Sequence, residues 1–148
     1  MLLSLALAAA LPGAAAPLAG LQYLVGTWNC TYRAGAVRFV YRATYTYDRD
    51  AHTLREVASW PGGGDEELLT YDPQHRSWTS VVLDQETATI LRASGSDPNH
   101  IAYRSVYPDA SMAVTFDRIS GTEYTLHATV RSGSKTIASV DTCLRGAP

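Results

Sequence analysis

Imidazoles, thiols and carboxylates hold metals and move protons, so their placement decides which chemistries are open to a chain. This one has four histidines and two cysteines. His75 and His100 stand beside turn sequences. His127 lies in "EYTLHATV", where Tyr124, Leu126, Ala128 and Val130 make the apolar face and leave the imidazole pointing outward. The histidines do not converge, so no metal site and no cofactor is expected. Nucleophilic catalysis has little support either. No Gly-x-Ser-x-Gly occurs, and two cysteines that oxidise to a disulfide leave no thiol to attack. The glycines of "PGGGDE" could suggest a phosphate cradle. Such cradles open into a helix, whereas this one runs into the strand-like "EELLTY" and reads as a flexible hairpin.

Phenols and carboxylates remain, and their spacing is that of strands. In "VRFVYRATYTYD", Val37, Phe39, Tyr41, Ala43, Tyr45 and Tyr47 share one face, while Arg38, Arg42, Thr44 and Thr46 share the other. The period of two marks a half-buried strand with its aromatic face inward. Similar runs rich in Val, Thr, Tyr and Ile follow at 53–60, 65–71, 76–83, 86–92, 100–107, 111–119, 122–131 and 135–145. Short turns separate them: 49–51, 61–64, 72–75, 84–85, 95–98, 108–110, 120–121 and 132–134. With a first strand from Gly26, this predicts an all-β fold: a single antiparallel up-and-down barrel of about ten strands.

A chain of 148 residues accommodates one such domain. Residues 1–19, "MLLSLALAAALPGAAAPLA", are uncharged and apolar but broken by Pro12 and Gly13, short of the ~20 residues a membrane span needs. They read as an export signal, with cleavage after Ala15 or Ala19, and residues 20–148 as the barrel domain. Secretion or periplasmic export suits an even cysteine count, and a Cys30–Cys143 disulfide is expected. Leu18, Leu21, Leu24 and Val25 are spaced for a short helical turn with an apolar side. The net charge is -2 and the cations are scattered singly, which argues against nucleic acid as a partner. No later apolar run suggests a stable membrane span.

An even number of strands lets the last pair antiparallel with the first and removes both open edges. If Cys30 faces Cys143, that register sets Trp28 opposite Arg145 and Tyr32 opposite Asp141, and an Arg over a Trp ring is a favourable stack. Gly26-x-Trp28 after a short N-terminal turn, with Arg145 ending the last strand, resembles the calycins: lipocalins, fatty-acid-binding proteins and related barrels. The chain looks most like the small secreted lipocalin-like domains of bacteria, akin to nitrobindin-type ten-stranded barrels. That resemblance implies a closed barrel whose N-terminal turn, Trp28 and Arg145 shut one end, with the turns near 33–36, 60–65, 84–86, 108–110 and 132–134 around the other. Nitrobindin-like barrels hold haem through a late-strand histidine, and no residue here matches that role by alternation.

A barrel of about ten strands is wider than the eight-stranded kind and should leave a cavity. Alternation points Phe39, Tyr41, Tyr45, Tyr103, Met112, Val114, Phe116, Tyr124 and Leu126 inward and puts Trp60 at the mouth. These residues could be plain packed core, or the wall of a pocket for a flat or elongated apolar molecule with a few polar handles. In 53–60, Glu56 shares a side with Leu54, Ala58 and Trp60. Arg118 and Asp141 also fall on inward faces, either satisfied by internal partners or offered to a ligand. The expected function is binding of a small hydrophobic or aromatic molecule without catalysis. The alternatives are a cavity-based isomerase or cyclase that uses Tyr, Asp and Glu groups, and a structural or interaction barrel with a filled interior.

Overall fold

The computed structural model describes residues 16–48 and 52–146. Most of the expected signal, residues 1–15, and the turn at 49–51 lie outside them. Helix α1 (Ala16–Ala19) and a 3-10 turn (Gln22–Leu24) precede ten strands. These are β1 (Gly26–Ala34), β2 (Val37–Asp48), β3 (Thr53–Trp60), β4 (Gly63–Asp72), β5 (Ser77–Leu83), β6 (Ala88–Ser94), β7 (His100–Tyr107), β8 (Met112–Arg118), β9 (Glu123–Ser132) and β10 (Lys135–Arg145). Each pairs antiparallel with the next, and β1 pairs with β10, giving the expected closed up-and-down barrel. Among the described residues no helix is long and apolar enough to cross a membrane.

Two strand starts shift by two residues from the sequence expectation, each for a local reason. β4 starts at Gly63 rather than 65. A side chain at Gly63 would come within 2.8 Å of the Trp60 indole nitrogen, and one at Gly64 within 2.6 Å of the Ala58 carbonyl oxygen. Glycines there let β4 pair closely against β3, so "PGGG" is half turn and half strand. β6 starts at Ala88 rather than 86, because the Asp84 carboxylate accepts the Glu86 and Thr87 amides at 2.9 and 2.7 Å and prolongs the turn.

The closing seam explains the matched motifs at the two ends of the barrel sequence. Trp28 pairs with Arg145 and Cys30 with Cys143, and the two cysteines are disulfide-bonded. The Trp28 indole donates to the Leu24 carbonyl at 2.7 Å. The Arg145 guanidinium lies 4.6 Å over the Trp28 ring and donates to the Tyr23 and Val25 carbonyls. The pair thus clamps the N-terminal turn across one end of the barrel, where Leu18, Leu21 and Leu24 are buried. Gly26 has φ 121°, and a side chain there would approach Arg145 Nη1 at 3.3 Å, which accounts for glycine in the Gly-x-Trp motif.

Because the disulfide joins residues 113 apart in sequence, replacing both cysteines by Ala should lower stability by about 2–5 kcal/mol. Arg145→Ala, which removes a ring stack and two hydrogen bonds to carbonyls, should cost less, about 1–3 kcal/mol. Urea denaturation of the three proteins checks the order, and thiol counting on unreduced, denatured wild type should find no free thiol.

Candidate functional site

Above the clamped end the barrel is hollow. A cavity of about 380 Å³ runs from a floor that includes Leu21, Leu24 and Phe116 toward the end where the hairpin turns meet. Phe39, Tyr41, Tyr45, Trp60, Tyr103, Met112 and Phe116, with Val114 and Leu126, all line it. Near the mouth the rings form one aromatic wall: Tyr32 stacks on Phe39 at 4.7 Å, and Trp60 lies 6.0 Å from Phe39 and 6.3 Å from Tyr41. Small residues at Ala43 and Ala58, both buried, keep the neighbouring part of the wall from filling the space.

Two residues read as inward do not face this space. Tyr124 is wholly buried in the layer beneath, edge-on to Trp28 at 4.9 Å and beside Phe116 at 5.4 Å. Its register partner is Cys143, which sets it at the depth of the disulfide. Arg118 follows the inward alternation of β8 but lies at the very end of the strand, where the barrel is already closed. It sits 4.0 Å over the Tyr23 ring, donates to Asn99 and Ser120, and is exposed, so it belongs to the clamp. His127 is exposed on the outer face, as alternation requires.

Four carboxyl groups line the cavity: Glu56, Asp65, Glu67 and Asp141. Among the described residues no Arg, Lys or His lines it with them. Glu56 on β3 lies in register between Tyr45 on β2 and Glu67 on β4 and hydrogen-bonds to both. The Ser80 hydroxyl donates to Glu67 at 2.5 Å, and Tyr45 meets Tyr124 hydroxyl to hydroxyl at 2.9 Å. A polar chain therefore crosses five strands in the order Tyr124, Tyr45, Glu56, Glu67, Ser80. Burial, then the charge of Glu67, pushes the Glu56 carboxyl well above the usual range, and a proton is shared within the hydrogen-bonded pair.

Asp65 and Asp141 stand apart from that chain and closer to the mouth. Burial, reinforced by Glu67, Asp84 and Asp141, pushes Asp65 up to about 6. Burial also pushes Asp141 up to about 6, against a hydrogen bond donated by the Tyr41 hydroxyl. Burial raises the phenols of Tyr41, Tyr45 and Tyr103 far enough that they stay protonated donors. The Tyr103 hydroxyl is buried with no hydrogen-bond partner. Glu56 and Asp141 had an inward signal in the sequence, but Asp65 and Glu67 escaped it. The run Asp65-Glu66-Glu67 puts an acid on either face, and only Leu69 and Tyr71 further along settle which face is inside.

No protein-family model matches this sequence, and no curated protein matches it. Solved structures do. The S-type phycobiliprotein lyase of Guillardia theta is similar in fold at TM-score 0.59 and 10% identity, over 88% of this chain and 92% of that one. A redesigned β-barrel bound to DFHBI aligns at TM-score 0.39 and 18% identity, over 84% of this chain and 100% of that one. At such identities the first match speaks for the barrel architecture alone.

The raised carboxyls make stability depend on pH in a definite direction. Asp65 and Asp141 ionise near 6 in the folded protein, against an ordinary 3.8, so the folded state holds these protons more tightly than the unfolded chain. Their contribution is complete below 3.8 and is lost as pH rises through about 6. The lowered carboxyls Asp72, Asp84 and Asp109 are exposed and act below their ordinary 3.8. The ligand-free protein should therefore melt several degrees higher at pH 5 than at pH 8, and Asp141→Asn should narrow that gap by raising the value at pH 8. Differential scanning fluorimetry across pH 4–9 measures both.

Proposed function

We propose that this protein is an exported, calycin-like binding barrel that holds a small hydrophobic or aromatic molecule in its cavity. The observation that carries the reading is the aromatic-walled space of about 380 Å³. It lies in the range of about 300–1,000 Å³ typical of small-molecule pockets, and a structural barrel would have filled it. Leaving buried aromatic surface unpacked forfeits dispersion contacts, and an apolar ligand restores them. Export is supported by the Cys30–Cys143 disulfide and the apolar leader. Cleavage after Ala15 would retain Leu18, which is buried at the clamped end, whereas cleavage after Ala19 would remove it.

A second reading, a cavity enzyme of the isomerase or cyclase kind, is favoured by one observation. Glu56 and Glu67 are hydrogen-bonded carboxyl groups next to Tyr45, and burial raises Glu56, so the pair can hold a proton between them in a water-poor site. Such a pair could donate a proton to one carbon and accept one from another. Binding comes first in either case.

A solvatochromic apolar dye should bind with one site per chain and a blue-shifted emission. Joint replacement Tyr41→Ala and Phe116→Ala should weaken it about tenfold or more, because two large walls of contact disappear. Equal affinity in the double variant would place the dye outside the cavity. Native mass spectrometry of protein from its own source should show a retained organic mass if binding is the function, and Glu56→Gln should leave that mass bound unless turnover produced it.

A further inference from the structure

The apolar wall accounts for a hydrophobic guest but leaves the acids unexplained. Four carboxyl groups open on the cavity with no basic side chain among its lining residues. An interior charge is tolerated when it is paired, and replacing these acids with Leu or Met would fill the barrel more stably. The Glu56–Glu67 pair is internally satisfied by its shared proton and by Ser80 and Tyr45. Among the described residues Asp65 and Asp141 are not paired with any cation, and Asp141 has the Tyr41 hydroxyl. Tyr41, which donates to Asp141, is in ring contact with Phe39 and Trp60, which line the same cavity, and the negative face of an aromatic ring attracts a cation as a carboxylate does. Outside the mouth, between the turns after β3 and β5, a cleft lined by Trp60, Asp84 and Glu86 also holds no basic residue.

We propose that the cavity selects an organic cation, a small amine with an aromatic or aliphatic body, whose ammonium group is held by Asp65 and Asp141 against the rings of Tyr41 and Trp60. This inference rests on the binding reading above and specifies its substrate class. An independent observation points to a guest with a polar group in the same cavity. Tyr103 is 6% exposed, lines the cavity and has no hydrogen-bond partner for its hydroxyl. A buried donor is left unmade at a cost of about 1–3 kcal/mol, so a polar acceptor on the ligand body is expected within its reach. A bare metal ion fits less well, because among the described residues no three His, Cys, Asp or Glu side chains converge to ligate one.

The groups facing Asp65 and Asp141 make capture of a cation dependent on pH. They are Tyr32 from β1, Tyr41 and Tyr45 from β2, Glu56 from β3, Glu67 from β4, Tyr103 from β7 and Ser139 from β10, with Asp84 from the turn after β5. None is a base. Both aspartates are ionised at neutral pH and largely neutral at pH 5, while an alkylamine stays charged at both, its pKa being about 10 like that of lysine. The site therefore holds a cation near neutrality and releases it in acid.

Isothermal titration with three probes of one shape separates charge from size: tryptamine, the neutral alcohol tryptophol and the anion indole-3-acetate. At pH 7.5 tryptamine should bind wild type about tenfold or more tighter than tryptophol, the discrimination expected of a charge-assisted contact, with indole-3-acetate weakest. At pH 5 the preference should shrink several-fold, and in Asp65→Asn/Asp141→Asn the affinities for tryptamine and tryptophol should converge. The wild-type series decides the question even if the double variant does not fold. Tryptophol or indole-3-acetate binding as tightly as tryptamine at pH 7.5 overturns the inference and leaves the binding barrel standing. So does failure of all three while the apolar dye binds. Failure of the dye as well overturns both.

Discussion

Every feature of the site depends on the pairing of β1 with β10. Ten antiparallel strands joined by short turns have two edges until those strands meet, and only then does alternation along a strand become a division between interior and solvent. Their meeting is a contact between segments more than a hundred residues apart, so its loop-closure entropy is among the largest in the fold. Three interactions of different kinds hold it: the backbone ladder, the Cys30–Cys143 bond, and the Trp28–Arg145 stack. The stack does more than join two strands. By taking the carbonyls of Tyr23 and Val25, Arg145 draws the N-terminal turn over the barrel end, and Trp28 anchors the same turn through Leu24.

This arrangement divides the barrel into two parts with opposite energetics. At the clamped end Trp28, Tyr124, Phe116 and three leucines of the N-terminal segment pack together, and Tyr124 links to Tyr45 by its hydroxyl. Toward the mouth the interior is hollow and acidic, a state that costs stability in the absence of a guest. The packed end, the disulfide and the continuous ladder offset that cost. A protein selected for stability alone would have filled the upper half with aliphatic side chains. Retaining carboxyls beneath an aromatic wall is understandable where a ligand supplies the missing positive charge.

The fold was legible because strand alternation is a local property. β2 reads as an alternating strand from twelve consecutive residues, and the strands at 53–60, 100–107 and 135–145 begin and end where propensity and turn residues place them. The strand starts that moved by two residues, at β4 and β6, did so through contacts invisible to propensity: an indole over Gly63 and an aspartate capping its own turn. The cavity wall was legible for the same reason as the strands. Alternation gives the face of the sheet but not the depth along the barrel axis, which is why Tyr124 and Arg118 share the inward face yet stand beneath the cavity or at its sealed end.

By itself the sequence determined the strand count, the inward aromatic face, the cysteine pairing and the Trp28–Arg145 register, because each follows from period two and from the closure of an even-numbered sheet. Only the tertiary structure decided that Asp65 and Glu67 join Glu56 and Asp141 around one space. β3 and β4 are neighbours, but β10 is separated from β3 by β1 and β2, so Asp141 meets the others across the interior, at distances set by the closed barrel and not by separation in sequence. The character of those acids was decided there too. A carboxyl group acquires a raised pKa, a shared proton or an unmet charge from its surroundings, and those surroundings exist only once ten strands have closed.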